Sequence, residues 1–330
     1  MSDTVAETTG RRVDEQRPLG ATDLTVSALS LGTAPLGNLF TEVTDDEATA
    51  TVRRAVELGL SYVDTAPFYG HGVAERRTGA ALAGLPPGRV RLSTKVGRLI
   101  RPASGADTGD FAVAGDTMPV FDFTADGVRR SLEESLQRLG LDRVDIVYIH
   151  DPDDHVEQAL TEAYPALHQL RSEGVVSAIG VGMNGPQIPA RFVRETDIDC
   201  VLLAGRYTLL DQSGLTELLP LCLERTVSVV VGGVYNSGIL ADPRPGARFD
   251  YRPAAPEVLD RARRLDAVCR RHGVPLAAAA LQFPLRHPAV ASVLTGVRSV
   301  AELETNAAAL ATPVPADLWA ELIADGLLPA

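Results

Sequence analysis

Tyr62-Val-Asp64-Thr-Ala-Pro-Phe-Tyr69-Gly70 is a short apolar run that ends on a carboxylate and places a tyrosine five positions later. Two further runs share its form. Arg91-Leu-Ser-Thr-Lys95 ends on a lysine, and Val144-Asp-Ile-Val-Tyr-Ile-His150 ends on a histidine. Three strand-like segments thus each deliver a proton-active side chain at a C-terminal end. Parallel strands of a closed barrel bring those ends to one face, which is where such folds carry their chemistry.

The same pattern extends along the chain. Strands are predicted at 29–32, 62–64, 91–95, 144–150, 176–181, 200–203, 227–231 and 290–294. They are rich in Val and Ile and lack period-two alternation, as expected of strands buried on both faces. Helical patterns lie between them. Thr44-Asp-Asp-Glu47 is a capping box before 48–58, with Gly59 as the expected C-cap. Val128, Leu132, Leu136 and Leu139 recur at three- and four-residue steps, and Gly140 ends that run. Residues 259–269 form another such pattern. Eight alternating strand–helix units, with no internal repeat and no composition break, favour an α/β fold of one (β/α)8 TIM barrel over two doubly wound domains. The single domain is expected over 16–330, after a polar tail at 1–15 that reads as disordered. Residues 16–26 read as an N-terminal β-hairpin. Two Gly- and Pro-rich segments, 97–123 and 232–256, leave the third and seventh strands and are expected to overhang the C-terminal face as long loops or lids.

With 330 residues, 45% hydrophobic and 22% charged, the chain has material for a large core. A formal net charge of −12 and a pI near 5.0 argue against a nucleic-acid partner or an anionic membrane surface. The three cysteines, Cys200, Cys222 and Cys269, show no Cys-x-x-Cys spacing and read as buried thiols of a reduced compartment. No run approaches a membrane span and none reads as a signal peptide, so the cytoplasm is expected. Assembly into a homo-oligomer is left open.

The runs at 64–70, Ser93-Thr-Lys95, the segment 135–145 leading into His150, Gly174-Val-Val-Ser-Ala-Ile-Gly-Val181, and Gly296-Val-Arg298 through Asn306 together resemble the aldo-keto reductases, from about residue 16 to the end. His150-Asp-Pro-Asp-Asp-His155, Gly182-Met-Asn184 and Gly232-Gly-Val-Tyr-Asn-Ser-Gly238 resemble one branch of that family. The branch contains L-fucose and D-threo-aldose 1-dehydrogenases and pyridoxal 4-dehydrogenase. The resemblance implies an NAD(P)-dependent oxidoreductase acting on a small carbonyl or sugar substrate. It also implies a hairpin that closes the barrel bottom and a catalytic tetrad of Asp64, Tyr69, Lys95 and His150. The chemistry is self-consistent. A free tyrosine has a pKa near 10 and is a poor base at neutral pH. A nearby ammonium, Lys95, favours the phenolate, and Asp64 supplies the ammonium with a counter-charge. Tyr69 is then the acid/base, and His150 orients the substrate oxygen. Singly, each residue has a blander reading: a rim aromatic, a turn cap, a solvated strand end, an interior histidine. Their joint placement at three consecutive strand ends outweighs those readings.

No Gly-x-Gly-x-x-Gly follows the first strand, so a Rossmann nucleotide site is not expected. The resemblance implies NAD or NADP lying extended over the barrel mouth. Gly232, Gly233, Gly296, Arg298 and Ser299 would serve the pyrophosphate, and Asn306 the adenine; the bland reading of Asn306 is a polar residue on a helix surface. Asn184 would hold the carboxamide in place of the family's usual Ser-Asn pair. The usual Gln of the sixth strand is Ala204, and the usual stacking Tyr of the seventh is Gly232, with Tyr235 close by. A carboxylate at Glu302 would repel the 2′-phosphate of NADP while Arg298 would attract it. Phe68, His155 and Tyr235, with Phe121 and Phe123, are expected at the substrate rim. The ligand-rich stretch 150–155 lacks the companion His-x-His of a metal barrel, and no metal is expected. The expected reaction is oxidation of a hemiacetal to a lactone, on an aldose or pyridoxal. The alternatives are a biosynthetic aldehyde or ketone reductase, a nucleotide-sensing regulatory subunit with weak turnover, and a hydrolase indifferent to nicotinamide nucleotides.

Overall fold

Eight strands, all parallel, hydrogen-bond in a closed ring. In chain order they are β1 (Leu29–Gly32), β2 (Tyr62–Asp64), β3 (Arg91–Val96), β4 (Ile146–His150), β5 (Ala178–Met183), β6 (Cys200–Ala204), β7 (Ser228–Gly232) and β8 (Val290–Gly296). β8 pairs with β1, Val293 opposite Leu29, and closes the barrel. This is a computed structural model of the protein, and it describes residues 10–86 and 88–329. Every residue of β1, β2, β4 and β5 is buried. Helices cover the outer face and side chains fill the inner one, which is why the strands read as continuous apolar runs. The predicted runs at 144–150 and 176–181 start before their ladders do. Val144 and Val176 are buried, so hydrophobicity extends past the pairing. Between them, the Asp145 carbonyl accepts from the N–H groups of Ser177 and Ala178.

The helices begin and end on local chemistry. Thr44 Oγ1 accepts the Glu47 N–H at 3.2 Å and starts Asp45–Glu57. That helix ends at Leu58, and Gly59 follows at φ 90° rather than serving as the cap itself. Gly140, at φ 63°, terminates Ala125–Leu139, whose buried face carries Val128, Leu132 and Leu139. The helix expected at 259–269 runs longer, Pro256–Arg271, because Pro256 occupies its first turn, where a missing N–H is harmless.

At the N-terminal ends of the strands, Gln16–Pro18 pairs antiparallel with Thr25–Ser27. The hairpin between them plugs the barrel floor. Leu19 and Val26 are fully buried, in one cluster with Tyr62, Ile146, Tyr148 and Cys200. Of the expected tail at 1–15, residues 1–9 lie outside the described residues. Residues 10–15 are docked, not tail-like: the Arg11 N–H donates to the Leu310 carbonyl, and Glu15 accepts from the Ala28 N–H. Backbone pairing with the barrel holds them. Cys200, Cys222 and Cys269 are buried free thiols. No helix among the described residues is long and apolar enough to cross a membrane.

At the other end the two long segments carry structure of their own. Residues 97–123 fold as an antiparallel ribbon of Arg98–Pro102 with Thr117–Phe121, and 232–256 contains the short pair Arg248–Phe249 with Arg252–Pro253. Leu39 bridges to Phe111. Phe40 packs 6.2 Å from Tyr251. Three loops therefore meet over the mouth. Floor and mouth are opposite ends of the barrel. Leu19→Ala should accordingly cost about 2–5 kcal/mol in urea unfolding, the usual price of a large-to-small core change, while kcat and KM stay near wild-type values.

Candidate active site

The ends of β2, β3 and β4 bring Asp64, Lys95 and His150 together, and the turn after β2 adds Tyr69. Asp64 and Lys95 are buried, at 0% and 1% exposure. An ammonium carries three protons, and Lys95 Nζ has three acceptors: Asp64 Oδ2 at 2.6 Å, the Thr65 carbonyl at 3.0 Å and Tyr69 OH at 2.9 Å. Ser93 Oγ donates its single proton to Asp64 Oδ1 at 2.6 Å. Tyr62 OH, 2.9 Å from Ser93 Oγ, must then be the donor to it, and Tyr148 OH, 3.1 Å further, the donor to Tyr62. The carboxylate thus sits at the end of a one-way chain of hydroxyls that rises from the floor cluster. Sequence reasoning named Ser93 only as motif and missed Tyr62 and Tyr148; their inward register is what joins them.

Tyr69 is held by a backbone crossing. Gly70 lies at φ 60°, and a Cβ there would stand 2.2 Å from the Gly37 carbonyl oxygen; a Cβ on Gly37 would stand 2.7 Å from the Tyr69 carbonyl carbon. Both positions require glycine. The tyrosine's electrostatics differ from the sequence expectation. Burial pushes its phenol up to about 12, against the opposing pull of Lys95, with Asp64 adding to the rise. Lys95 cannot lower it on balance because its charge is already matched by Asp64. For Lys95 itself, burial works against the ammonium, but Asp64 and Tyr69 outweigh it and hold the pKa above the ordinary value. His150 stands edge-on to Tyr69, ring centroids 6.0 Å apart. Burial, then the cations of Arg98 and Lys95, depress its pKa well below the ordinary histidine value, so the ring is neutral.

Beside His150 lies an aromatic and charged wall. Phe68 packs edge-to-face on Phe111 at 5.3 Å and 6.1 Å from His150. Arg98 lies over Phe68 at 4.3 Å and Phe121 at 4.9 Å, and donates to Asp151 Oδ2 at 2.7 Å. His155 packs 5.3 Å from both Phe121 and Phe123. Phe68 and His155 therefore belong to this side. Tyr235 does not: its hydroxyl donates to Asn306 Oδ1 at 2.9 Å, between the loop after β7 and the helix after β8. Arg98 and Phe111 were not singled out in the sequence, and Asp151 only as part of the ligand-rich stretch 150–155. Arg98 lies three positions after Lys95 and Asp151 one after His150, a proximity that offered the only signal.

The mouth at β6 to β8 fits a nicotinamide dinucleotide. Ala204 and Gly232 are direct partners in the β6–β7 register. A Cβ on Gly232 would make ordinary contact, 3.8 Å, with Ala204 and Leu202, so these two positions place no large side chain at the ends of β6 and β7. Asn236, buried in the loop after β7, donates Nδ2 to the Gly205 carbonyl and leaves Oδ1 without a protein partner. Gly233 and Gly296 are exposed. Asn306 is buried, not a surface residue, and Tyr235 fixes its amide. Asn184 is exposed. Ser299 Oγ accepts the Glu302 N–H and caps Val300–Ala311. Glu302 in turn accepts the Arg298 N–H at 2.9 Å and pairs with its guanidinium at 3.5 Å. Among the described residues, no group of three or more His, Cys, Asp and Glu side chains is placed to hold a metal ion.

Residues 28–324 match the profile of the Aldo/keto reductase family. A D-threo-aldose 1-dehydrogenase from Pseudomonas sp is 46% identical over 94% of this chain and 97% of its own length. A pyridoxal 4-dehydrogenase from Microbacterium luteolum is 42% identical over 96% of this chain and 99% of its own. Among solved structures, the holo form of an aldo-keto reductase from Bacillus halodurans superposes with a TM-score of 0.75 at 28% identity, over 96% of this chain and 97% of that one.

The buried pair has a measurable signature. Asp64→Asn leaves the Lys95 ammonium without a counter-charge and should lower stability by about 3–5 kcal/mol in urea titration. The double variant with Lys95→Met should lose less than the sum of the two single losses, because the pair acts as one unit.

Proposed function

The chain belongs to the aldo/keto reductase family and is an NAD(P)-dependent oxidoreductase; on that premise we propose that it oxidises the hemiacetal carbon of an aldose to a lactone, with Tyr69 as acid/base. The observation that carries this reading is the Tyr69 hydroxyl, 2.9 Å from a buried ammonium and flanked by a neutral histidine. The aldose dehydrogenase relative at 46% identity supports the substrate class. When bound, the nicotinamide ring accepts a hydride from the reacting carbon. Gly233, Gly296 and Ser299 would border its pyrophosphate, Asn306 its adenine, and Asn184 and Asn236 its carboxamide. Tyr69 takes the proton of the hemiacetal hydroxyl; that O–H bond breaks, the C–H pair leaves as hydride, and the carbon–oxygen double bond of the lactone forms. Lys95 stabilises the phenolate form of Tyr69 before the transfer, and Asp64 keeps Lys95 charged. His150, neutral, donates one ring N–H to the substrate oxygen and fixes its direction. The opposite direction uses the same groups with Tyr69 as acid.

Glu302 accepts the Arg298 N–H and stands 3.5 Å from its guanidinium, so a 2′-phosphate at Arg298 would meet a carboxylate, which favours NAD over NADP. Glu302→Ala should raise the NADP-to-NAD ratio of kcat/KM.

The test is NAD(P)H formation by absorbance against L-fucose, D-arabinose, L-galactose and pyridoxal, with NAD and NADP separately. Tyr69→Phe should cut turnover by roughly 10²–10⁴, the usual worth of a positioned acid/base, with NADH binding retained by fluorescence. The pH dependence has a definite sign. Oxidation needs the phenolate, whose fraction rises tenfold per pH unit below a pKa of about 12. The kcat/KM for oxidation should therefore climb from pH 7 to 10, whereas reduction, which needs the phenol, should not. A flat oxidation profile over that range, or near wild-type turnover in Tyr69→Phe, would sink the assignment.

A further inference from the structure

Two charged side chains at the mouth have no part in the proton transfer. Arg98 opens the ribbon after β3, and Asp151 follows His150. Arg98 Nη2 donates to Asp151 Oδ2 at 2.7 Å, with the two side chains 10% and 23% exposed. The same carboxylate oxygen lies 3.4 Å from His150 Nε2. Asp151 holds a left-handed backbone, φ 42°, fixed by its N–H donating to the Gly182 carbonyl at 3.0 Å. Non-glycine residues rarely adopt that conformation, and such strain clusters at ligand-handling positions.

Pinning the ribbon does not account for the pair. The ribbon is already held by its own five-residue register and by the Leu39–Phe111 bridge, and a mostly buried ion pair is a costly way to add a tether. The pair also leaves much unclaimed. A guanidinium has five N–H donors, and Arg98 gives one to Asp151, while its Nε is enclosed without a protein partner. His150 Nδ1 is enclosed without one as well. Asp151 Oδ1 accepts from no protein group among the described residues. The enclosed nitrogens are out of a ligand's reach, but the remaining Nη donors of Arg98, whose guanidinium lies over the faces of Phe68 and Phe121, stand beside Asp151 Oδ1 next to the reacting centre.

That array complements adjacent hydroxyls, each of which both donates and accepts. It does not suit an anion. A lone arginine would draw in a phosphate or carboxylate, but here Asp151 cancels its charge, and the nearby carboxylate of Asp153 adds to the negative side. We propose that Arg98 and Asp151 form a hydroxyl-reading pair that selects uncharged polyhydroxylated substrates, with adjacent hydroxyls beside the reacting carbon, over anionic and hydroxyl-free carbonyl compounds. The assignment rests on the aldose reading above and adds to it the residues that select the substrate.

The experiment measures kcat/KM for three compounds in wild type, Arg98→Gln and Asp151→Asn. They are the neutral aldose turned over best, the terminal phosphate ester of an aldose, and propanal, which has no hydroxyl and is followed in the reductive direction. Both variants should lower the aldose-to-propanal ratio at least tenfold. Asp151→Asn, which leaves the Arg98 cation unmatched, should raise the phosphate-ester-to-aldose ratio at least tenfold, and Arg98→Gln should not. Ratios within one preparation separate recognition from any loss of folded protein. Aldose and propanal activity falling in parallel, or an unchanged response to the phosphate ester in Asp151→Asn, would overturn the pair's role while the aldose reading stands. A wild-type enzyme that reduces propanal but oxidises no aldose would overturn the aldose reading and this role with it.

Discussion

An ammonium enclosed in the barrel is the constraint around which the mouth is arranged. Lys95 cannot stay charged at 1% exposure unless every proton is accepted and the charge is matched. Asp64 Oδ2, the Thr65 carbonyl and Tyr69 OH supply three acceptors, and Asp64 supplies the charge. That requirement ties β2 to β3 and fixes the position of the tyrosine. It also reaches downward: Asp64 is polarised by Ser93, Ser93 by Tyr62 and Tyr62 by Tyr148. Residues that fill the lower barrel are thus hydrogen-bonded in series to the carboxylate at its mouth, and packing and chemistry share one network.

The charges of the mouth come in matched pairs. Asp64 faces Lys95, Asp151 faces Arg98, and Glu302 faces Arg298. Matching explains why the phenol of Tyr69 is raised to about 12 despite touching an ammonium: burial dominates once the cation is neutralised. His150 stays neutral for a different reason: burial first, and then the cations of Arg98 and Lys95, depress its pKa. A second principle at the mouth is removal of bulk. Ala204 and Gly232 are register partners that put no large side chain at the ends of β6 and β7, and beside Tyr69, Gly37 and Gly70 let two backbones pass so closely that any side chain would collide.

Much of this was legible in the chain. Strands buried on both faces show as Val- and Ile-rich runs whatever their neighbours are, so all eight could be read locally, along with the caps at Thr44 and Gly140. Asp64, Tyr69, Lys95 and His150 could be named because each sits at or just beyond the end of such a run, and barrel geometry guarantees that those ends converge. What only the tertiary structure decided are relations between segments far apart in sequence. Arg98 meets Asp151 across 53 positions, and Tyr235 meets Asn306 across 71; no local pattern encodes either. The net direction of the Tyr69 shift likewise depends on burial weighed against paired charges. Local sequence sets which backbone a segment adopts, through side-chain bulk and hydrogen-bonding near the chain. The three-dimensional packing sets which charges from distant segments are enclosed together.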